Sequence, residues 1–174
     1  MTTKNDNRNS CGTPDLSEIE FGRTREGNMF EAAALLLIVA LWTTAIYLMV
    51  NGDRYIIAMY ASAPELAADA ARNSCGVTMV NAIVGTLVTA VCLLAAYRPA
   101  DMVNVPFRVR NVRQLQLMSR SVRVSALGVA LLLNAISLSV YGLAPTWLTG
   151  LFTVMLIAET IGYCVVIYRA GRRA

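Results

Sequence analysis

Glu159 is the residue of this sequence that invites a chemical role, because it is the one acid well inside a long apolar run, about twelve residues after Trp147. A charge near the middle of a bilayer costs about 2.5–3.5 kcal/mol, so such a group should face neighbouring helices and have a partner there. Asn134 lies midway along the preceding apolar run, and the short connection between the two runs makes them antiparallel neighbours. We therefore expect Asn134 to contact Glu159, with Thr86 and Thr89 at a similar depth.

This polar group has two interpretations. It could form a pocket that binds a proton or a small ligand, in which Glu159 exchanges the proton. It could instead join helices through hydrogen bonds, each contributing roughly 0.6–2 kcal/mol. A single carboxylate without a basic residue at the same depth favours the second interpretation.

Other catalytic chemistry is poorly represented. The chain has no histidine, which excludes a Cys–His pair, a Ser–His–Asp triad and a histidine-ligated metal. The four cysteines have no CxxC or metal-type spacing, and two of them fall within apolar runs. Asp53, Glu65 and Asp69 have no obvious nucleophile or base around them. We predict a protein that is not an enzyme and has no catalytic, cofactor-binding or metal-binding residues.

Four apolar runs dominate the sequence, which is 56% hydrophobic with a mean hydropathy of +0.53. Each is long enough to cross a hydrocarbon core of about 30 Å as a helix. A buried helix of a soluble protein would have a polar face, which these runs lack. We predict an all-α membrane protein, a four-helix bundle with spans at about 29–50, 77–97, 124–143 and 147–168.

Basic residues set the predicted orientation. Six arginines lie between the second and third spans, where they would hold the loop in the cytoplasm and contact lipid headgroups. They are Arg98, Arg108, Arg110, Arg113, Arg120 and Arg123. Counted over the whole chain, thirteen basic residues lie on this side and two on the other, which places both termini in the cytoplasm. With little aromatic interleaving, these arginines do not indicate nucleic-acid binding.

The segments outside the spans differ in character. Residues 1–28 are polar and are predicted to be a disordered cytoplasmic tail, and residues 169–174 form a basic cytoplasmic tail. Asn51-Gly52 predicts the end of the first helix. The 51–76 connection then contains a capping-box pattern from Ser62 to Glu65 and a short external helix, which together form either a contact surface or a simple hairpin. Asn111 is a candidate cap for an amphipathic cytoplasmic extension of the third helix.

Small residues recur at helical spacing in two spans. Asn81 and Gly85 are four residues apart in the second span, and Ala158 and Gly162 are four apart in the fourth. Small or hydrogen-bonding residues at this spacing let membrane helices approach closely. We expect these four residues to mark helix-packing faces.

The segment from Arg98 to Arg120 resembles part of a bacterial family of small integral membrane proteins of unknown function. In that family an Asn-x-Pro-Val-like turn precedes an Asn…Gln-Tyr-x-Leu-x-x-Arg helix. The corresponding residues here are Asn104, Pro106, Asn111, Gln114, Leu117 and Arg120, with Leu115 in place of the usual Tyr. The domain also occurs in SdpI-like proteins, which act in toxin immunity and signalling. The resemblance covers about 30 residues, lacks the family's histidine-containing motif, and implies a multi-pass protein of the bacterial cytoplasmic membrane.

Two functions follow as expectations. The first is a non-enzymatic immunity-type, regulatory or accessory subunit, which acts by helix packing and through the external 51–76 segment. The alternative is a small proton-coupled transporter or ligand-binding membrane protein that uses Glu159. Besides the lipid bilayer, the expected partner is another membrane protein or further copies of this chain, and no cofactor is expected.

Overall fold

The computed structural model describes residues 25–106 and 109–172, which form helices joined by short connections. The five helices are α1 (Arg25–Met59), α2 (Pro64–Tyr97), α3 (Pro99–Met102), α4 (Val112–Val140) and α5 (Thr146–Arg172). Four of them, α1, α2, α4 and α5, are long and apolar enough to cross a membrane. The predicted all-α fold with four membrane-length helices is confirmed. The predicted N-terminal tail lies outside the described residues up to residue 24, and α1 begins at Arg25.

The helix α1 does not end at Asn51-Gly52, so the predicted turn there is wrong. It continues to Met59 and is 35 residues long. The reason is tertiary: Leu48, Gly52 and Ile56 recur every four residues on its buried face. Leu48 and Ile56 pack with Tyr141, which outweighs the local preference of Asn-Gly for a turn.

The predicted short external helix is likewise not separate, because Pro64 begins a helix that runs unbroken to Tyr97. Proline does occupy the first turn, as the sequence indicates. The predicted capping box is wrong, since the N-cap is Ala63 and no side chain caps the helix. At about 1.5 Å per residue, α1 and α2 each extend roughly 50 Å, well beyond a hydrocarbon core of about 30 Å. Their connected ends form a helical hairpin that extends past the predicted spans, which end at residue 50 and begin again at residue 77.

The helices α1, α2 and α4 all pack on one another, whereas α5 packs chiefly on α4. Buried alanines such as Ala45, Ala82 and Ala130 let the first three helices approach closely. Large apolar side chains such as Leu36 and Val50 point outward instead, as expected for a lipid-facing surface. The chain is thus a three-helix core with a fourth helix on one side.

The start of α4 is capped as predicted. The Asn111 Oδ1 accepts a hydrogen bond from the Gln114 backbone N–H at 2.8 Å. Asn111 Nδ2 also donates to the Ala170 carbonyl, and Gln114 Nε2 donates to that of Ile167, both at 3.1 Å. Two of the six residues that carry the predicted family resemblance, Asn111 and Gln114, therefore tie the start of α4 to the end of α5.

The contact between Gly52 and Tyr141 can be tested by adding a methyl group. A Cβ on Gly52 would lie 3.1 Å from Tyr141 Cζ and closer still to Cε1. We expect Gly52→Ala to destabilise the protein by roughly 1–2 kcal/mol, since overpacking outweighs the better helix propensity of alanine. Thermal unfolding in detergent would measure this.

Gly76→Ala is the matched control, because a Cβ there meets nothing within 4 Å. It should stabilise the protein by about 0.5–1 kcal/mol. Adding Tyr141→Leu to Gly52→Ala should restore part of the loss. Equal effects of the two glycine substitutions would contradict the close packing of Gly52.

Candidate functional site

A buried ion pair joins α4 to α1. Arg123 Nε lies 3.1 Å from Glu31 Oε1, and the two side chains are 6% and 17% exposed. The predicted role of Arg123 as a lipid-headgroup arginine is therefore wrong, because its guanidinium is enclosed by protein. Since α1 begins at Arg25, Glu31 lies in the second turn and points into the bundle.

Two neighbours complete this arrangement. The Tyr97 hydroxyl of α2 lies 2.8 Å from each carboxylate oxygen of Glu31, to which it donates, and its ring lies under the Arg123 guanidinium at 5.4 Å. Arg123 Nη1 donates to Ser119 Oγ at 3.0 Å, and Ser119 in turn donates to the Ala96 carbonyl at 2.6 Å. We call Glu31, Tyr97, Ser119 and Arg123 the ion-pair cluster. It connects three helices through charge-assisted hydrogen bonds.

One donor of the cluster remains without a partner. Arg123 Nη2 is buried and forms no hydrogen bond with the described residues. The Arg123 side chain is only 6% exposed, so this nitrogen is enclosed by protein rather than open to solvent. The geometry therefore suits a structural link between helices more than binding of a ligand.

Glu159 has a different environment from the expected one. Its carboxylate accepts hydrogen bonds from Ser125 Oγ, at 3.0 Å to Oε2 and 3.3 Å to Oε1. Ser125 is two residues from Arg123, or about 3 Å along α4. Glu159 therefore lies close to the level of the ion-pair cluster along the bundle. Within the described chain it has no basic partner.

Asn134 is not at this level. It lies nine residues beyond Ser125 on α4, which is about 13–14 Å along the helix. Its amide donates to the carbonyls of Leu37 at 3.2 Å and Ala130 at 2.8 Å. No hydrogen bond joins it to Glu159 in the part of the chain that the structure describes. The expectation failed because Asn134 is seven residues from the turn at Tyr141, whereas Glu159 is thirteen residues into α5.

The two threonines also lie away from Glu159. Thr86 accepts a hydrogen bond from Trp42 Nε1 at 2.9 Å and donates to the Ala82 carbonyl at 2.8 Å. Thr89 is buried and its hydroxyl has no partner among the described residues. The four residues of the predicted polar site therefore do not meet. Thr86 and Asn134 each contact α1, and Glu159 joins α5 to α4. Thr89 takes part in none of these contacts.

The predicted packing residues lie on a packing face in α2 but not in α5. Asn81 donates to Ser137 Oγ at 3.3 Å, and a Cβ on Gly85 would lie 2.8 Å from Leu41 Cδ2. These two residues do lie on a packing face of α2. Ala158 and Gly162 are exposed on α5, and a Cβ on Gly162 would meet nothing within 4 Å. The helix α5 instead packs Leu156 against Gly128 of α4, where a Cβ would lie 2.8 Å from Leu156 Cδ2.

The remaining loop arginines stay near the surface. Arg98, Arg110, Arg113 and Arg120 are exposed, and Arg120 lies 3.9 Å from Glu26. Arg108 lies outside the described residues. Exposed positions fit the predicted role of these arginines in membrane topology, whereas the buried position of Arg123 does not.

A large cavity lies in the hairpin formed by the connected ends of α1 and α2. It measures about 930 Å³ and lies between the ends of α1 and α2. We call it the hairpin groove. Eight of its ten lining residues are apolar or aromatic, and the two charged ones are Asp53 and Arg72. The lining residues are Asp53, Ile57, Ala58, Tyr60, Ala61, Pro64, Ala67, Ala68, Ala71 and Arg72.

Comparison of the chain with protein-family models, curated proteins and solved structures finds no match. The resemblance of residues 98–120 to a bacterial membrane family stays a prediction. Among the described residues no group of three or more histidine, cysteine or acidic side chains could hold a metal ion.

The sequence does contain a signal for the ion-pair cluster. Glu31 lies just inside the first apolar run and Arg123 just before the third, so both charges fall at the same end of the bundle. Opposite charges at the same membrane level are candidates for a buried pair. Ser119, four residues before Arg123, is on the same helix face.

Removing one partner of the buried pair should be costly. We expect Arg123→Met to destabilise the protein by about 3–5 kcal/mol, because Glu31 is left as an uncompensated buried charge. The double variant Arg123→Met with Glu31→Gln should be more stable than Arg123→Met alone. Unfolding in a denaturing detergent would measure both.

The exposed pair Arg120–Glu26 provides the control, since its side chains are 55% and 75% exposed. Arg120→Met should change stability by about 0–1 kcal/mol. A loss for Arg123→Met no larger than that for Arg120→Met would contradict the importance of the cluster.

Proposed function

We propose that this chain is a non-enzymatic accessory or regulatory subunit of a bacterial cytoplasmic membrane, and that it binds another membrane protein through the hairpin groove. The observation that carries the proposal is the groove itself, an apolar cavity of about 930 Å³ at the connected ends of α1 and α2. Immunity-type proteins, which the resemblance implies, are one class of such subunits. Thirteen basic residues lie on the side of the termini and only two lie in the hairpin, which orients the hairpin away from the cytoplasm.

The lining of the groove favours an apolar partner segment. Alanines at 58, 61, 67, 68 and 71 leave a shallow space that a larger side chain from another helix can fill. Ile57 in the groove is 60% exposed. Exposed apolar surface beyond the membrane is typical of a protein contact, because lipid tails do not reach it.

The charges of the groove suggest how a partner is oriented. Asp53 and Arg72 lie on opposite helices at the membrane-proximal end, and neither has a hydrogen bond or ion pair with a described residue. A partner helix that leaves the bilayer could satisfy both with one acidic and one basic side chain. Such complementary charges fix the register of a contact more than its strength.

Site-specific photo-crosslinking tests this function. A photo-reactive residue at Ala68, inside the groove, should give an adduct of discrete mass in the native membrane. Leu66 is the matched control, because it is 55% exposed but does not line the groove. Ala68→Trp, which fills the groove, should abolish an adduct formed from a probe at Ile57.

The mass of the adduct separates the outcomes. An added mass that differs from this chain supports a distinct membrane-protein partner. An adduct of two copies of the chain would assign the groove to a homo-oligomer instead. Adducts of equal yield at Ala68 and Leu66, or lipid adducts alone, would contradict the proposal.

A second candidate function is proton-coupled transport through Glu159, favoured by a half-buried carboxylate held by Ser125 inside the apolar α4–α5 pair. If Glu159 exchanges a proton, Glu159→Gln should fold normally and lose proton uptake into proteoliposomes under an imposed potential. If it only joins helices, Gln still forms hydrogen bonds and the variant should behave as wild type.

Ser125→Ala serves as the control for this substitution. It removes the hydrogen bond to Glu159 but leaves the carboxylate in place. A transporter should therefore keep measurable proton uptake in Ser125→Ala while losing it in Glu159→Gln. Equal proton uptake by wild type and Glu159→Gln would end the transport hypothesis.

A further inference from the structure

A small basic notch lies between the start of α4 and the end of α5. Its lining residues are Arg113, Leu117, Val166, Arg169 and Ala170, and its volume is about 250 Å³. Two arginines from different helices flank a floor made of three apolar side chains. We call this feature the arginine notch.

Both arginines are available to a ligand. Each is exposed, and neither has an ion pair or hydrogen bond with a residue in 25–106 or 109–172. By contrast, Arg120 has Glu26 and Arg123 has Glu31 as partners. The notch therefore presents two uncompensated positive charges side by side.

The notch lies at the level of lipid headgroups. Arg169 directly follows the predicted fourth span, which ends at residue 168, and Val166 lies in the last turn of that span. The notch is therefore at the boundary between hydrocarbon and headgroups, with Leu117 and Val166 on the hydrocarbon side of the two arginines. Arginine side chains at this level are long enough to reach lipid phosphates.

We propose that the arginine notch binds the headgroup of one anionic phospholipid from the predicted cytoplasmic leaflet. The phosphate would be held between the two guanidinium groups, which suit the geometry of phosphate oxygens. The upper part of an acyl chain would lie on Leu117 and Val166. Basic pockets between membrane helices on the cytoplasmic side commonly bind such headgroups.

The surrounding structure fixes the spacing of the two arginines. Asn111 bonds to the Ala170 carbonyl and Gln114 bonds to that of Ile167, on either side of Arg169. These contacts hold the first turn of α4 against the last turns of α5. The site is thus preformed, which lowers the entropy cost of binding. Arg113 also lies in the first turn of α4, where the helix dipole attracts anions.

The apolar floor argues for a lipid rather than a free phosphate ion. Inorganic phosphate would need polar groups on most sides, but Leu117, Val166 and Ala170 offer none. A lipid presents an anionic group and an apolar chain together, as the notch does. The two sources of phosphate can be separated by experiment.

Native mass spectrometry of the full chain in a neutral detergent tests the proposal. With phosphatidylglycerol and phosphatidylcholine of identical chains as probes, the wild type should retain one phosphatidylglycerol with clear preference. Arg113→Gln with Arg169→Gln should weaken this retention by roughly 10–30-fold, since each arginine near a lipid surface contributes independently. Each single variant should retain phosphatidylglycerol several-fold more weakly than the wild type.

Arg120→Gln is the matched control, because Arg120 is an exposed arginine of the same helix outside the notch. It should retain phosphatidylglycerol within twofold of wild type. Eleven of the thirteen basic residues on this side remain in the double variant, so orientation should be preserved. If the double variant does not fold, the two single variants give the same comparison.

Three results would overturn the proposal. The double variant could retain phosphatidylglycerol as wild type does. Arg120→Gln could lose as much as the double variant, which would indicate general surface charge. Inorganic phosphate at millimolar concentration could displace the lipid completely, which would assign the notch to a free anion. Selective loss in the double variant, without displacement by phosphate, supports the lipid site.

Discussion

The guanidinium of Arg123 lies among apolar helices, where a charge without partners would be strongly destabilising, and this constraint shapes the core. Glu31 of α1 supplies the opposite charge and Tyr97 of α2 supplies a hydroxyl to the same carboxylate. Ser119 accepts a hydrogen bond from a second nitrogen of the arginine, Nη1. Glu31, Tyr97 and Arg123 come from three different helices, so the cluster links α1, α2 and α4 at one level of the bundle. Buried polar contacts of this kind favour one alignment of helices in some proteins.

The fourth membrane helix, α5, is attached to the bundle by a different set of contacts. Its attachment to α4 depends on Ser125 and Glu159 in the apolar part and on Asn111 and Gln114 at the end. Of the described residues in α5, Ile167 alone is buried. Ala158 and Gly162 remain exposed on its outer surface. The helix therefore forms one wall of the arginine notch while leaving most of its surface to lipid.

The sequence predicted the number of membrane-length helices, because hydrophobic length is a local property that a single chain displays directly. It also predicted the Asn111 cap, which depends on residues three apart. The end of α1 was missed because Gly52 is held in a helix by Tyr141, a residue almost ninety positions away. The Asn134–Glu159 contact failed for a different reason: depth must be counted from the shared turn, and the two residues are unequally distant from it.

The pairing of Glu31 with Arg123 has a consequence for how the chain enters the membrane. Segments emerge in order during synthesis, so α1 and α2 are made before α4. When Arg123 reaches the bilayer, Glu31 is therefore already present as its counter-charge. Tyr97, which donates a hydrogen bond to Glu31, is present as well. The first hairpin would then act as an intramolecular insertion aid for the third membrane helix. Because α5 makes few contacts with that hairpin, it can dock last without disturbing the assembled core.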